Sequence, residues 1–297
     1  PTTLRRALYR SRNLVAIRLL RQTGIQKTLD YIRSLGVNTE QLPRDLSLAL
    51  GSGLLTPLEM TRTYAMLANG GYEVTPYFIQ SIKGPEGDTL FEAPESHQCD
   101  NCNPEEEELL EAALPSVSPG DQADGRPKRL MERVADKRAV YIMHSMMRDV
   151  IQRGTGRAAR SLGRDDIAGK TGTTNDQRDT WFMGFNPDVA TGVWVGFDQP
   201  RSLGRREFGS VTALPIWKDY MEVALAGIPE HYMDRPAGIV SRRIDPETGE
   251  PATTDNPDAR FEIFRAENAP EPASDTESFQ NDSADDTRDA RPTQELF

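Results

Sequence analysis

Residues 169–198 read GKTGTTNDQRDTWFMGFNPDVATGVWVGFD, and this stretch decides the fold. It holds two runs rich in aromatic and β-branched residues, TWFMGF and TGVWVGF, separated by the turn-forming residues at 186–188. This pattern predicts a β-hairpin, and the KTGT run before it is then the first of three adjacent strands. Helical patterns at 139–151 and 214–225 flank the three strands. The sequence therefore predicts a mixed α/β unit whose KTG strand lies at an exposed sheet edge.

The bulk composition limits the classes of function. A chain of 297 residues with 37% hydrophobic and 27% charged residues has the size of one large domain or two ordinary ones. Its net charge of −11 argues against a nucleic-acid partner, which needs clustered Lys and Arg. Its longest apolar runs fall well short of the roughly 18–20 residues of a membrane helix. The sequence starts at Pro1 without a leader, so we expect a fragment whose signal or anchor lies upstream.

Further patterns divide the chain into four parts. Leucines and isoleucines at helical spacing fill residues 4–35, with an interruption at Ser11-Arg12-Asn13. Thr56-Pro57-Leu58-Glu59 predicts a helix start with a capping box. Acidic and turn-forming residues at 98–132 indicate an inserted, mobile segment, and similar composition beyond 245 indicates disorder. We therefore expect a helical part at 1–97, the insertion at 98–132, the KTG strand and hairpin at 133–245, and a disordered acidic tail at 246–297.

The two cysteines, Cys99 and Cys102, form a single CxxC pair. The pair could be half of a zinc site, but neither His144 nor His231 has ligand spacing to it. We therefore favour a local disulfide in an oxidising compartment, and expect neither a metal nor a cofactor.

The KTG stretch suits two unrelated chemistries, nucleotide-phosphate binding and acyl transfer. A phosphate loop needs G-x-x-x-x-G-K-[ST] at the start of a helix, but Gly163 is one residue too far from Gly169 and strand-forming residues follow. Acyl transfer needs Lys170 beside a serine hydroxyl and a strand edge with free N–H groups. Ser11 and Asn13 supply a hydroxyl and an amide at the helix interruption, and form an S-x-N motif. The S-x-N and K-T-G motifs are weak alone and informative together.

Longer stretches carry a resemblance to a known family. The chain resembles the class A, bifunctional penicillin-binding proteins, in particular the penicillin-binding protein 1A group, over about residues 4–245. The resemblance implies an α/β (α+β) penicillin-binding and β-lactamase-like transpeptidase fold, an antiparallel sheet flanked by helices, incomplete at its N-terminus. The stretches that carry it are SRNLVAIRLL (11–20), SLALGSGLLTPLEMTRTYAMLANGGY (47–72), RGTGRAA (153–159), the 169–198 stretch and QELF (294–297).

The resemblance also implies an activity and roles for single residues. The activity is cross-linking of peptidoglycan stem peptides that end in D-Ala-D-Ala, with acylation by β-lactams. Ser11 and Lys170 would shuttle the proton, and Asn13 would hydrogen-bond the substrate amide. Thr171 and Thr173, two apart on a strand, would hold the substrate carboxylate, and the Thr173 N–H would be one oxyanion donor. Gly172 would leave the cleft unobstructed.

One departure from the family pattern is the absence of its nucleophile motif, S-x-x-K. No serine of the sequence is followed three residues later by lysine; in Ser81-Ile82-Lys83 the lysine is only two residues on. We therefore expect the nucleophile and its base to lie upstream, and this chain to be inactive by itself. The intact parent would also carry a glycosyltransferase domain, and a missing N-terminal helix would anchor it on the periplasmic side of the inner membrane.

Two other functions remain open at this stage. The first is a serine β-lactamase or carboxypeptidase relative, which a deacylation rate would distinguish. The second is a non-catalytic binding module whose insertion and tail recruit cell-wall synthesis proteins. Trp181 and Phe182, by their strand pattern, are predicted to lie in the sheet core and not to stack on substrate.

Overall fold

The computed structural model describes residues 2–98 and 128–273, and divides into two compact units. The first unit is Thr2–Ala237 and the second begins at Gly238. The proposed site residues all lie in the first unit.

Helices make up the start of the first unit. The capping box predicted at Thr56 is confirmed, because its hydroxyl accepts the Glu59 N–H at 3.2 Å and the Glu59 carboxylate accepts the Thr56 N–H at 2.8 Å. The described helices of this unit are α1 (Leu4–Tyr9), α2 (Asn13–Thr23), α3 (Ile25–Ser34), α4 (Pro57–Ala68), α5 (Lys137–Gln152) and α6 (Ala213–Ala224), with 3-10 turns at Leu46–Leu50, Arg157–Leu162 and Asn175–Gln177.

Four short strands lie between α4 and α5 in the part of the chain that the structure describes. Strands β1 (Ser81–Lys83) and β2 (Thr89–Glu92) pair antiparallel, whereas β3 (Glu95–Gln98) and β4 (Lys128–Met131) pair parallel. Strand β4 falls inside the predicted insertion, so residues 128–131 are not irregular, because their backbone pairs in register with β3. The mobility of the insertion stays a prediction. The rest of the insertion, with Cys99 and Cys102, lies outside the described residues.

The central sheet contains the three predicted strands, β5 (Ala168–Thr173), β6 (Asp179–Phe185) and β7 (Ala190–Gly196), in the order β5-β6-β7. Both pairings are antiparallel, with Lys170 opposite Met183 and Gly172 opposite Trp181. Within the described residues β5 pairs with β6 alone, so its other edge is open, as predicted.

Helices cover both faces of this sheet. On one face Phe182 packs with Trp217 of α6 and with Ala159 of the 3-10 turn, all of them fully buried. On the other face Phe185 and Ala168 pack with Met147 of α5 and with α4. Side chains of a strand alternate between faces, so Ala168, Lys170 and Gly172 point to the α4–α5 side of β5, while Thr171 and Thr173 point to the α6 side.

The second unit corrects the predicted disordered tail. Strand β8 (Ile239–Ile244) pairs antiparallel with β9 (Arg260–Arg265) over six residues each. The carboxylate of Asp245 accepts the N–H groups of Glu247 and Thr248 at 2.7 and 3.1 Å, which fixes the turn after β8. The disorder prediction is therefore wrong for residues 246–273, because polar composition hid a short paired strand; residues 274–297 lie outside the described part.

None of the helices within residues 2–98 and 128–273 is both long enough and apolar enough to cross a lipid bilayer.

Candidate active site

Ser11 lies in a strained turn between α1 and α2. Its N–H donates to the Leu8 carbonyl at 3.0 Å, and the next N–H, of Arg12, donates to the Ala7 carbonyl at 2.9 Å. This pair of bonds is a Schellman motif, which usually places glycine where Ser11 stands. Ser11 has a φ of 50°, a left-handed conformation that costs a non-glycine residue roughly 1–2 kcal/mol.

The hydroxyl of Ser11 meets Lys170 from the open-edge strand. Lys170 Nζ donates to Ser11 Oγ at 3.0 Å and to the Thr171 carbonyl at 2.8 Å. The two side chains are 159 residues apart in sequence. A hydroxyl and an amine within hydrogen-bond distance can exchange a proton directly.

The environment of Lys170 changes its protonation. Burial lowers the pKa of Lys170 to about 8, because an ammonium group loses hydration when it is enclosed. At pH 7 about a tenth of the side chains is then the neutral amine, against well below a thousandth for an ordinary lysine. Lys170 can therefore act as both proton donor and proton acceptor near neutral pH.

We expect this shift to be measurable in the isolated chain. NMR titration of ¹³C-methylated lysines should give one resonance with a midpoint near pH 8. The same resonance should be missing from the Lys170→Met variant, which assigns it. A Lys170 midpoint near 10.4, the value of an exposed lysine, would contradict the enclosed amine.

The open edge of β5 presents N–H groups. The Thr174 N–H donates to the Asp179 carbonyl at 3.2 Å, across to β6. Along an antiparallel ladder the N–H groups alternate between the partner strand and the opposite edge. The N–H of Thr173 therefore points to the open edge, where an oxyanion donor is required.

Fixed partners hold the two threonine hydroxyls of the strand. The Gly209 N–H donates to Thr173 Oγ1 at 3.0 Å. Thr171 Oγ1 lies 2.7 Å from Thr155 Oγ1, in the loop that follows α5. Each hydroxyl oxygen therefore has a fixed hydrogen-bond partner.

The remaining predicted site residues have simpler surroundings. Asn13 is the first residue of α2 and is exposed, and no described contact joins its side chain to Lys170 or Thr173. A Cβ added at Gly172 would lie 3.0 Å from the Trp181 Cβ, so cross-strand packing also favours glycine there. Phe182 is in the core as predicted, but Trp181 is only half-buried, beside Trp194.

A buried ion pair precedes the strand that carries Lys170. Both carboxylate oxygens of Asp166 accept from Arg164, at 2.9 and 2.6 Å, and Asp166 is fully buried. Asp166 also accepts from Asn186 at 3.0 Å and from the His231 N–H at 3.1 Å. Burial alone would raise the pKa of Asp166, but these donors outweigh it and hold the pKa below its usual range. The pair ties the start of β5 to the hairpin turn and to the segment after α6.

Sequence reasoning assigned no role to Thr155, Asp166 or Gly209. A sequence pattern could have pointed to Thr155, because its hydroxyl is flanked by two glycines in the GTG run at 154–156. Asp166 and Gly209 had none: the Arg164 partner of Asp166 is close in sequence but does not mark a buried pair, and their other partners at 186, 231 and 173 lie 20 or more residues away.

The chain is similar to known proteins in sequence and in fold. Residues 1–222 match the family described as the penicillin binding protein transpeptidase domain. Penicillin-binding protein 1A of Pseudomonas aeruginosa is 45% identical over 289 residues, covering 91% of this chain and 35% of that protein. Penicillin-binding protein 1A of Neisseria lactamica is 43% identical over 239 residues, covering 80% and 26%.

A solved structure shares the fold. The crystal structure of penicillin-binding protein 1A from Haemophilus influenzae superimposes with a TM-score of 0.77 at 33% identity, over 93% of this chain and 41% of that one. The chain thus spans well under half the length of each of these relatives.

Proposed function

The chain belongs to the penicillin-binding protein transpeptidase domain family, and on that premise we propose that it supplies the C-terminal part of a serine-type D,D-transpeptidase domain. In this reaction a serine attacks the D-Ala-D-Ala carbonyl of a peptidoglycan stem peptide, and the terminal D-Ala leaves. An amine of a second stem peptide then takes the acyl group. β-Lactams acylate the same serine. The longer polypeptide also carries a glycosyltransferase domain and is anchored at the periplasmic face of the inner membrane.

The contact between Lys170 Nζ and Ser11 Oγ, at 3.0 Å, carries this proposal. Acylation removes a proton from the attacking hydroxyl and delivers one to the leaving amine. The Ser11 hydroxyl is hydrogen-bonded to the Lys170 amine, whose pKa is about 8, so a proton can pass between the two groups in either direction. Ser11 and Lys170 together are the relay.

The open edge of β5 binds the substrate beside this relay. The Thr173 N–H stabilises the negative oxygen of the tetrahedral intermediate, and the hydroxyls of Thr171 and Thr173 bind the terminal carboxylate. Asn13 hydrogen-bonds the substrate amide from the opposite side. These roles follow the family pattern residue by residue.

The acylated serine is not among the residues of this chain. None of its serines is followed three residues later by lysine. Lys170 does not replace that serine, because its amine is engaged with Ser11 and the Thr171 carbonyl. The nucleophile comes from another part of the polypeptide, and the 297-residue chain alone is inert.

Intact-mass spectrometry after incubation with penicillin tests the proposal. We expect one penicillin per molecule of the longer polypeptide, mapped by peptide digestion to a serine of an S-x-x-K sequence. The 297-residue chain, treated in the same way, should keep its unmodified mass.

Three outcomes would reject parts of this assignment. A stoichiometric adduct on Ser11 or Lys170 would mean that the nucleophile is misassigned. Rapid hydrolysis of the adduct would favour a β-lactamase. No adduct on the longer polypeptide would favour a non-catalytic binding module.

A further inference from the structure

The loop Gly154-Thr155-Gly156 lies between the two halves of the site. The Thr155 N–H donates to the Tyr9 carbonyl at 3.3 Å, two residues before Ser11. The Thr155 hydroxyl lies 2.7 Å from the hydroxyl of Thr171, next to Lys170. One residue thus contacts both the helix end that carries Ser11 and the strand that carries Lys170.

The close approach of this loop depends on its glycines. A Cβ at Gly154 would lie 2.5 Å from the Tyr9 carbonyl oxygen and 2.8 Å from the Val150 Cα, which no side chain could tolerate. Gly156 is tied back to α5 by its N–H, which donates to the Val150 carbonyl at 2.9 Å. The loop therefore presents the Thr155 hydroxyl from a fixed backbone.

The direction of the hydroxyl hydrogen bonds decides what the strand offers a ligand. A hydroxyl has one proton to donate and two lone pairs that accept. Thr173 accepts from the Gly209 N–H, which cannot accept in return, so the Thr173 proton stays available to a ligand. If the Thr155 hydroxyl donates to the Thr171 hydroxyl, the Thr171 proton is likewise available to a ligand. If Thr155 donates to Thr171 and Thr171 donates to a ligand carboxylate, each hydrogen bond polarises and strengthens the next.

We propose that Thr155 is a positioning residue that orients the Thr171 hydroxyl as a donor to the substrate carboxylate. This inference rests on the proposed function, because it assumes that a carboxylate binds at Thr171 and Thr173. Thr155 is itself exposed, so its hydrogen bond contributes little to folding. Its contribution is to ligand recognition.

The test measures acylation of the longer polypeptide by a penicillin and by an uncharged ester of the same penicillin. We expect Thr155→Val to lower the second-order rate constant for the carboxylate form about tenfold and that for the ester less than twofold, because an oriented donor favours the anion. Thr155→Ser should restore the carboxylate rate to within about threefold of the wild type.

A double-mutant cycle with Thr171→Val separates action through Thr171 from direct contact with the ligand. In the Thr171→Val background the second change, Thr155→Val, should have no further effect. Ser161→Ala is the matched control, because that nearby hydroxyl donates only to the Ala158 carbonyl. It should change neither rate.

The outcomes are distinguishable from a failure of the proposed function. If the wild type is not acylated at all, the proposed function is wrong. If the wild type is acylated, four results would each overturn the role of Thr155. Two concern Thr155→Val: an equal loss of both rates, or no loss of either. The others are a failure of Thr155→Ser to restore the carboxylate rate, and an effect of Thr155→Val that persists in the Thr171→Val background. Should Thr155→Val fold poorly, Thr155→Ala, which also lacks the hydroxyl, takes its place in both measurements with the same expected results.

Discussion

We expect Lys170→Ala to lower the rate constant for acylation of the longer polypeptide by penicillin by on the order of 10²-fold or more. The change removes the amine that contacts Ser11 Oγ at 3.0 Å, and with it the proposed proton relay. It also removes a positive charge beside Thr171 and Thr173, which we propose bind the substrate carboxylate. Stopped-flow or gel-based acylation with a fluorescent penicillin measures the rate.

A second variant of Lys170 distinguishes its role in proton transfer from the effect of its charge, and a variant of another lysine is the control. Lys170→Arg keeps the charge but cannot lose its proton in the working pH range, so it should lose nearly as much activity as alanine. Lys218→Ala removes a lysine of α6 whose partner is its neighbour Asp219, and should leave the rate unchanged. A Lys170→Ala protein that is acylated within threefold of wild type would exclude Lys170 from the chemistry.

We expect Asp166→Ala to lower the free energy of unfolding of the first unit by about 3–5 kcal/mol. The change leaves the Arg164 guanidinium, only 13% exposed, with carbonyl acceptors but without the carboxylate that it pairs with, and breaking a buried pair by removing one partner carries this cost. Denaturant titration followed by tryptophan fluorescence isolates this unit, because all three tryptophans, 181, 194 and 217, lie within it.

Asp219→Ala is the matched control for Asp166. Asp219 lies on α6, is 74% exposed and lies 3.6 Å from Lys218, so its loss should change stability by no more than about 0.5 kcal/mol. A loss below about 1 kcal/mol in Asp166→Ala would mean that the ion pair does not anchor the strand.

The stability contributed by Asp166 also depends on pH. Its pKa is lowered in the folded state, so its contribution is complete above the unfolded value near 3.9 and is lost as pH falls through the folded value. The difference between wild type and Asp166→Ala should therefore be constant from pH 5 to 7 and shrink below about pH 4. A difference that grew on acidification would contradict the lowered pKa.

Local sequence determined the helices and strands that frame the site. The capping box at Thr56, the hairpin around residues 186–188 and the position of β5 at a sheet edge all follow from patterns within about ten residues. Such patterns suffice because helix ends, turns and strand alternation depend on near neighbours. Strand β9 was not predicted, because its polar surroundings have the composition of a disordered segment. Its partner β8 is also separated from it by a 15-residue connection, so no local pattern reveals the pairing.

The residues Ser11, Lys170, Thr171 and Thr173 could be named from motifs, and their roles remain predictions. Only the tertiary structure decided that Lys170 meets Ser11 across 159 residues, and that burial lowers the pKa of Lys170 to about 8. It alone placed Thr155 against Thr171 and Asp166 against Arg164, Asn186 and His231. Motifs record residue types along the chain, whereas protonation and hydrogen-bond direction depend on which groups folding encloses together.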